Sequence, residues 1–255
     1  MELIKQDYEL LSLLNHCRYI TTKQIVRLYF PDNTLKTATR RANLFTKKLS
    51  NLGLIVHLER RIGGIRAGSG SYIWYLTHKG TKALHEIEPN VKLRFKNKYE
   101  PTQHHLKHQL FVTQIFVELK TLDLEKKITL ETFSFEPKCW RSFATLLSNS
   151  TLKPDAFTKL TVGDFEDSYF FEADNATEHL GRVVVKCKQY IQYFNTGIEQ
   201  RENEIFPLVI WVVPDEKRKL AILNRIKEDL NAYWELFTVV TLEELPDFIQ
   251  GGRDE

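Results

Sequence analysis

The chain has 255 residues, enough for two domains, and its three cysteines are too few and too scattered for a disulfide framework or a zinc site. No apolar run approaches the ~20 residues of a membrane-spanning helix, and no signal-peptide pattern opens the chain, so we expect a cytoplasmic protein without membrane insertion. Residues 1–100 hold 18 Lys and Arg against 8 Asp and Glu, whereas residues 101–255 hold 18 against 25, which indicates a polyanionic partner for the N-terminal part.

Apolar periodicity predicts a winged helix-turn-helix domain over residues 1–98. Three helices followed by two strands are predicted at residues 5–17, 23–29, 35–52, 55–61 and 72–76. Pro31 follows the second helix and Gly53 follows the third, and these residue types commonly end helices. The glycine-rich segment 62–71 between the two strands is predicted to be the wing.

The third predicted helix and the wing are rich in basic residues, with eight Lys and Arg and a single acid, Glu59, between Lys36 and Arg66. A recognition helix in a major groove and a wing on the backbone would place these residues against DNA. The predicted DNA-binding residues are Lys36, Thr37, Arg40, Arg41, Lys47, Arg60, Arg61 and Arg66. A basic solvated helix, or a winged helix that binds protein, is the alternative.

Helices and strands alternate differently over residues 99–255, which we predict to be a second, α/β domain. The predicted order is a helix at 102–119, a strand at 128–135, two strands around Asp155 and Glu172, and a helix ending near Phe194. A strand at 206–215, a helix at 216–233 and a strand at 236–241 follow. Three adjacent strands and a crossover helix favour a mixed sheet in an α+β protein overall.

Three carboxylates suggest a metal site in this second domain. Glu172 and Asp174 project from the same face of a strand, and Asp155 joins them if its strand pairs alongside. Such an all-oxygen site suits Mg²⁺ or Mn²⁺, which would promote cleavage of a phosphodiester. The alternative is an ordinary turn at Pro154-Asp155 and a solvated strand end at Glu172-Ala173-Asp174.

The helix that follows these acids carries a second set of candidates. We expect its core side to be apolar and its opposite stripe to contain Arg182, Lys186, Tyr190 and Tyr193. His104, His105 and His108 are secondary candidates, although ordinary helix contacts are the simpler interpretation. Trp140, Arg141 and residues 148–150 are predicted to belong to a loop before Asp155 that could also touch substrate.

The Pro154-Asp155 and Glu172-Ala173-Asp174 pattern resembles the restriction-endonuclease-like nuclease core, whose signature is Pro-Asp followed by Asp/Glu-x-Lys. Asp174 stands where the signature has lysine, which puts catalysis in doubt. The resemblance implies a replacement lysine on the next helix, and Lys186 is preferred over Lys188 because it shares a stripe with Arg182 and Tyr190.

The basic winged helix, the His-His-Leu segment, Lys153-Pro154-Asp155-Ala156, residues 171–178 and Lys186 together resemble the replication-relaxation family of plasmid proteins, most closely MobC-type conjugative relaxases. That resemblance implies a metal-dependent nick in one strand at a plasmid transfer origin. It places Asp155, Glu172 and Asp174 on the ion and Lys186 near the scissile phosphate. An accessory mobilisation protein and a coupling protein are the implied partners.

Several alternatives stay open. One is a non-catalytic plasmid DNA-binding replication or regulatory factor with a degenerate nuclease-like domain. Another is a plasmid-borne restriction or repair nuclease, which would cut both strands. A covalent reaction through Tyr190 or Tyr193 is the alternative to direct attack by water, although packing of both tyrosines as aromatic helix residues is the simpler expectation.

Overall fold

The computed structural model describes residues 3–62, 71–89, 101–144 and 149–251. Their contacts divide the chain into two units, Met1–Val117 and Glu118–Glu255. The division falls within a helix, whereas the domain boundary predicted from the sequence precedes that helix. The division into domains at residues 1–98 and 99–255 therefore stays a prediction.

The first unit contains the three helices and two strands predicted from periodicity. Its elements are α1 (Lys5–Cys17), β1 (Ile20–Thr21), α2 (Thr22–Tyr29), α3 (Leu35–Asn51), β2 (Ile55–Ile62), β3 (Ser71–Leu76) and α4 (His78–Ile87). β3 pairs antiparallel with both β1 and β2, so the sheet order is β1-β3-β2. The two-residue β1 and the helix α4 were not predicted from the sequence.

The long helix α5 (Gln103–Leu124) packs its first turns into the core of this first unit. Leu106 and Leu110 are buried there against Tyr19, Leu58 and Ile73. Buried polar groups also join these elements, because the Thr113 hydroxyl donates to the Tyr19 carbonyl at 3.1 Å. The predicted helix at 102–119 is therefore confirmed, and its buried leucines add to the core that covers the three-stranded sheet.

The second unit is built on a five-stranded mixed sheet. Its elements are β4 (Thr129–Phe135), β5 (Arg141–Ala144), β6 (Asn149–Leu152), β7 (Ala156–Val162), β8 (Phe165–Ala173), α6 (Leu180–Phe194), α7 (Ile198–Asn203), β9 (Leu208–Val213), α8 (Glu216–Leu230), β10 (Phe237–Thr241) and α9 (Leu245–Ile249), with a 3₁₀ turn at Asn231–Leu236. The strand order is β10-β9-β8-β7-β4.

The direction of each strand follows from its connection. β4, β7 and β8 pair antiparallel, whereas β8, β9 and β10 are mutually parallel because α6 and α8 occupy their connections. β9 is apolar throughout because it lies in the middle of the sheet with nearly all its side chains buried. The expected α+β architecture with a mixed sheet is thus present.

A short hairpin replaces the loop expected before Asp155. β5 and β6 pair antiparallel, with Arg141 opposite Leu152. Phe143 and Leu152 are buried in the main core of the second unit, which gives this hairpin a reason to fold. The loop interpretation was therefore wrong for Arg141, Asn149 and Ser150, whereas Ser148 lies outside the described residues.

Across the described ranges, no helix is long and apolar enough to cross a lipid bilayer.

Candidate active site

Asp155 is held against the end of β8. Its amide donates to the Phe171 carbonyl at 3.1 Å, and its Oδ2 accepts from the Ala173 amide at 2.8 Å. The pairing of β7 with β8 explains this position, because Ala156 lies opposite Phe171. The carboxylate predicted on one strand is thus brought beside the Glu172 strand.

Glu172 is a buried acid, 4% exposed, near the end of β8. The Tyr190 hydroxyl donates to its Oε1 at 2.5 Å, and Lys186 Nζ lies 3.3 Å from the same oxygen. Burial raises the pKa of Glu172 to about 8, Lys186 opposes that rise, and the nearby Asp155 adds to it. The site therefore holds two mutually repelling carboxyls and one ammonium group.

Lys186 reaches Glu172 from α6. Its Nζ also donates to the Lys153 carbonyl at 2.7 Å, which ties the helix to the segment before Asp155. Burial lowers the pKa of Lys186, but Glu172 and Asp155 outweigh that effect and the net direction is upward. Lys188, two residues later, is exposed and makes no such contact among the described residues. Of the two lysines considered, Lys186 is the one near the acids.

Asp174 has a different environment, although it is only 3% exposed. Arg218 of α8 grips both of its oxygens, with Nε 3.1 Å from Oδ1 and Nη2 2.7 Å from Oδ2. The Ala176 amide donates to Oδ1 as well. No motif in the sequence indicated Arg218, because its partner is 44 residues away. Hydrophobic periodicity carries no signal for such a long-range ion pair.

The two tyrosines lie in the core, contrary to the stripe expected opposite the apolar side of the helix. Tyr190 is 0% and Tyr193 2% exposed. Their hydroxyls make burial possible, because Tyr190 donates to Glu172 and Tyr193 donates to Glu199 at 2.8 Å. Burial, followed by the charge of Glu172, raises the pKa of Tyr190 well above its usual value. Arg182 is exposed, as expected.

His104, His105 and His108 belong to the first unit, whereas the carboxylates belong to the second. His105 is half-buried, and its amide donates to the Thr102 hydroxyl at 3.2 Å. All three histidines have interaction partners.

The basic residues predicted on the third helix lie on one exposed surface of α3. The exposed members are Lys36, Thr37, Arg40, Arg41 and Lys47. Arg41 is partly fixed, since its guanidinium lies 4.8 Å from the Phe30 ring centroid and donates to Asn33 Oδ1 at 3.2 Å. Arg66 and the side chains of Arg60 and Arg61 lie outside the described residues.

No group of three or more His, Cys, Asp and Glu side chains in the described part of the chain is arranged to hold a metal ion. Asp155 and Glu172 are brought close enough to influence each other electrostatically. Asp174, the third predicted ligand, is engaged by Arg218 instead. The site therefore consists of Asp155, Glu172, Lys186 and Tyr190, with the Asp174–Arg218 pair at the same end of β8.

Solved structures offer only weak likenesses. Protein VC1899 from Vibrio cholerae is 11% identical with a TM-score of 0.35, over 97% of this chain and 54% of the other, so this chain spans about half of that protein. Restriction endonuclease FokI is 12% identical with a TM-score of 0.27, over 96% and 70% of the two chains. FokI bound to DNA is 15% identical with a TM-score of 0.28, over 99% and 46%. Likenesses at this level fix neither fold nor function.

No curated protein sequence matches the chain. A family model does, and it is described as replication-relaxation. The match extends over residues 11–209, from α1 through the whole acidic site to β9. It therefore includes both the basic helix α3 and the residues around Glu172, and this chain belongs to the replication-relaxation family.

Proposed function

We propose that this protein is a metal-dependent DNA endonuclease that recognises a plasmid transfer origin and nicks one strand to start conjugative mobilisation. In this proposal the second unit is a restriction-endonuclease-like catalytic domain of the MobC relaxase type. The observation that carries the proposal is the 3.3 Å contact between Lys186 Nζ and Glu172 Oε1. Lys186 on α6 thereby provides the positive charge of the signature lysine, whose position on the strand is occupied by Asp174.

The chemistry of the donor set fits a divalent cation at Asp155 and Glu172. Two carboxyls that raise each other's energy by repulsion, one of them nearly fully buried, would be stabilised by a cation between them. Mg²⁺ or Mn²⁺ bound by these oxygens would polarise the phosphodiester and acidify a water molecule. Asp174 does not fit as a direct ligand, because both of its oxygens accept from Arg218.

The side chains around Glu172 have separate tasks in this proposal. Tyr190 orients the Glu172 carboxyl by donating to Oε1, and Lys186 places a positive charge beside it. A lysine there stabilises negative charge that develops on the phosphate and helps to orient the attacking water. Since Tyr190 is buried and its hydroxyl already donates to Glu172, direct attack by water is preferred to a covalent tyrosine intermediate.

The first unit supplies DNA recognition in this proposal. Its order of helices and strands and its three-stranded sheet support a winged helix-turn-helix, and the exposed basic residues of α3 suit a major groove. Among the described residues, the Arg40 side chain has no hydrogen bond, ion pair or ring contact and remains available for a guanine, whereas Arg41 is partly held by Phe30 and Asn33. An accessory mobilisation protein and a coupling protein would be further partners.

Nicking of supercoiled plasmid that carries the cognate transfer origin tests the catalytic proposal. With Mg²⁺ or Mn²⁺, we expect the wild type to yield open circles, and Lys186→Met to lower the rate by roughly 10²-fold or more, since the charge beside the phosphate is lost. Glu172→Gln should abolish nicking. Mapping the product ends then checks the strand and the position of the nick.

Lys188→Met is the matched control, because it removes an exposed lysine from the same helix. Equal loss of activity in both lysine variants would mean that general charge on α6, and not the contact with Glu172, matters. Unchanged nicking by Glu172→Gln would refute the catalytic proposal. Double-strand cuts would point to a restriction or repair nuclease instead.

A second candidate function is that of a non-catalytic plasmid DNA-binding replication or regulatory factor. The bidentate Asp174–Arg218 pair favours it, because this pair removes one acid from the set that would hold an ion. Under this alternative the first unit binds DNA with the same affinity in the wild type and in Glu172→Gln, and neither protein nicks the plasmid.

A further inference from the structure

Arg218 is fixed in place by an acid. Nε and Nη2 donate to the two oxygens of Asp174, and Nη2 also donates to the Glu178 carbonyl at 2.7 Å. Its side chain is 13% exposed, whereas that of Asp174 is 1% exposed. Within the described ranges, Nη1 donates no hydrogen bond. Within these ranges, the two N–H groups of Nη1 are therefore the part of the guanidinium that is left to donate.

Asp174 is a poor metal ligand in this arrangement. Its Oδ1 accepts from the Ala176 amide and from Arg218, and its Oδ2 accepts from Arg218. Charge-assisted bonds of this kind are about twice as strong as neutral ones, and a metal ion would have to replace them. A guanidinium next to the carboxylate would also repel the arriving cation.

An arginine held in this way suits a phosphate. The N–H groups of Nη1 can donate to a phosphate oxygen, and a guanidinium already fixed by an acid loses little conformational entropy when it binds. Its location is also suitable, because Asp174 follows Glu172 by two residues at the same end of β8. A phosphate near the acids would therefore pass close to this guanidinium.

We propose that Asp174 is a positioning residue and that the Arg218 it holds contacts a backbone phosphate of bound DNA next to the one that is cleaved. The inference rests on the proposed function for its ligand, since DNA is the phosphate-bearing substrate of that reaction. The two acids of Glu172-Ala173-Asp174 then have different roles: Glu172 binds the metal ion, and Asp174 positions Arg218.

Two measurements on the full-length protein test this inference without relying on cleavage. The first is the salt dependence of binding to a duplex fragment with the transfer origin, in the presence of a chelator. We expect Arg218→Gln to reduce the slope of log K against log salt by roughly 0.9, the value of one lost phosphate contact. Asp174→Asn should reduce the slope by a smaller amount. Arg218→Lys keeps the charge and should therefore retain most of the wild-type slope.

The second measurement is Mn²⁺ binding. We expect Asp155→Asn and Glu172→Gln to weaken Mn²⁺ binding by at least about ten-fold, whereas Asp174→Asn and Arg218→Lys stay within about two-fold of the wild type. Arg225→Gln is the matched control for both measurements, because Arg225 lies on the same helix and pairs with Asp229 at 2.9 Å on its surface. It should change neither quantity.

Each outcome decides a part of the inference. Loss of Mn²⁺ affinity in Asp174→Asn equal to that in Asp155→Asn would make Asp174 a metal ligand and overturn its positioning role. An unchanged salt slope in folded Arg218→Gln would reduce the pair to a structural ion pair. If the wild type neither nicks DNA nor binds Mn²⁺, the proposed function fails, and the salt slope still decides whether Arg218 contacts a phosphate.

Discussion

Glu172 shows how one buried side chain connects stability with function. The carboxyl is nearly inaccessible to solvent, and its charge is opposed by burial and by Asp155. Tyr190 and Lys186 offset this only in part, and the pKa of Glu172 remains near 8. The ionised carboxylate of Glu172 destabilises the fold when no cation is bound and is stabilised when a cation binds beside it. Strongly shifted pKa values of this kind are common at functional sites.

This pKa predicts a pH-dependent stability of the metal-free protein. The pKa of Glu172 is about 8 in the folded chain against 4.5 for the ordinary side chain, so the folded state holds a proton that the unfolded state has lost. Stability should therefore be highest below about pH 4.5 as far as this group is concerned, and should fall as pH rises toward 8. A difference of one pKa unit corresponds to roughly 1.4 kcal/mol.

Urea unfolding between pH 5 and pH 8 in a chelator is the measurement, at about unit intervals of pH. Glu172→Gln should remove most of the decline, because glutamine has no proton to lose. Glu131→Gln, which removes an exposed carboxyl from β4, is the control and should follow the wild type. Identical pH dependence in Glu172→Gln and the wild type would show that Glu172 is ionised throughout this range.

Gly80 is required by a close approach of two elements in the first unit. A Cβ atom at this position would lie 2.1 Å from the Leu54 carbonyl oxygen. The contact arises because Thr77 caps α4 by accepting from the Gly80 amide at 3.0 Å while its hydroxyl donates to the Gly53 carbonyl at 2.6 Å. The start of α4 is thereby drawn onto the turn before β2.

We expect Gly80→Ala to lower the free energy of unfolding by about 1–3 kcal/mol, since backbone must move to make room. Gly181→Ala is the matched control, because its Cβ meets nothing within 4 Å and alanine favours the helix α6. Thermal or denaturant unfolding measures both. Equal stability of the two variants would mean that α4 can shift without cost.

Among the elements, α6 has the largest role at the site. Lys186 and Tyr190 are four residues apart and therefore point to the same side, where both reach Glu172. Sequence periodicity predicted this helix and the shared stripe of Lys186 and Tyr190. It did not predict that Tyr190 is buried, because burial of this tyrosine depends on an acid from a different element.

The elements that periodicity missed are short or depend on distant partners. β5 and β6 have four residues each, which is too short for alternation to be recognised, and only the burial of Phe143 and Leu152 explains them. The strands β7, β8 and β9 were predictable because they carry long apolar runs. Arg218 could not be found, since an ion pair across 44 residues leaves no local pattern.

At the scale of the whole molecule, the basic residues predicted to bind DNA and the acids predicted to bind a metal ion lie in different units. Residues 1–100 carry a net charge of +10 from 18 basic and 8 acidic residues, and the exposed part of α3 contributes four of these cations. The acids singled out for chemistry all lie in the second unit. Binding of DNA and binding of a metal ion should therefore be separable by mutation.

The Lys36→Ala/Arg40→Ala double variant tests this separation. Removing two exposed cations from α3 should weaken binding to origin DNA, and loss of a phosphate contact by Lys36 should reduce the slope of log K against log salt by roughly 0.9. Mn²⁺ affinity of this double variant should not change. Glu172→Gln should instead lose Mn²⁺ affinity and keep its affinity for DNA.

Lys5→Ala is the control, since Lys5 is exposed on α1 and pairs only loosely with Glu9 at 3.8 Å. If the control reduces the slope as much as the double variant does, the first unit attracts DNA through its overall charge; if neither variant changes the slope, α3 is not the DNA-contacting helix.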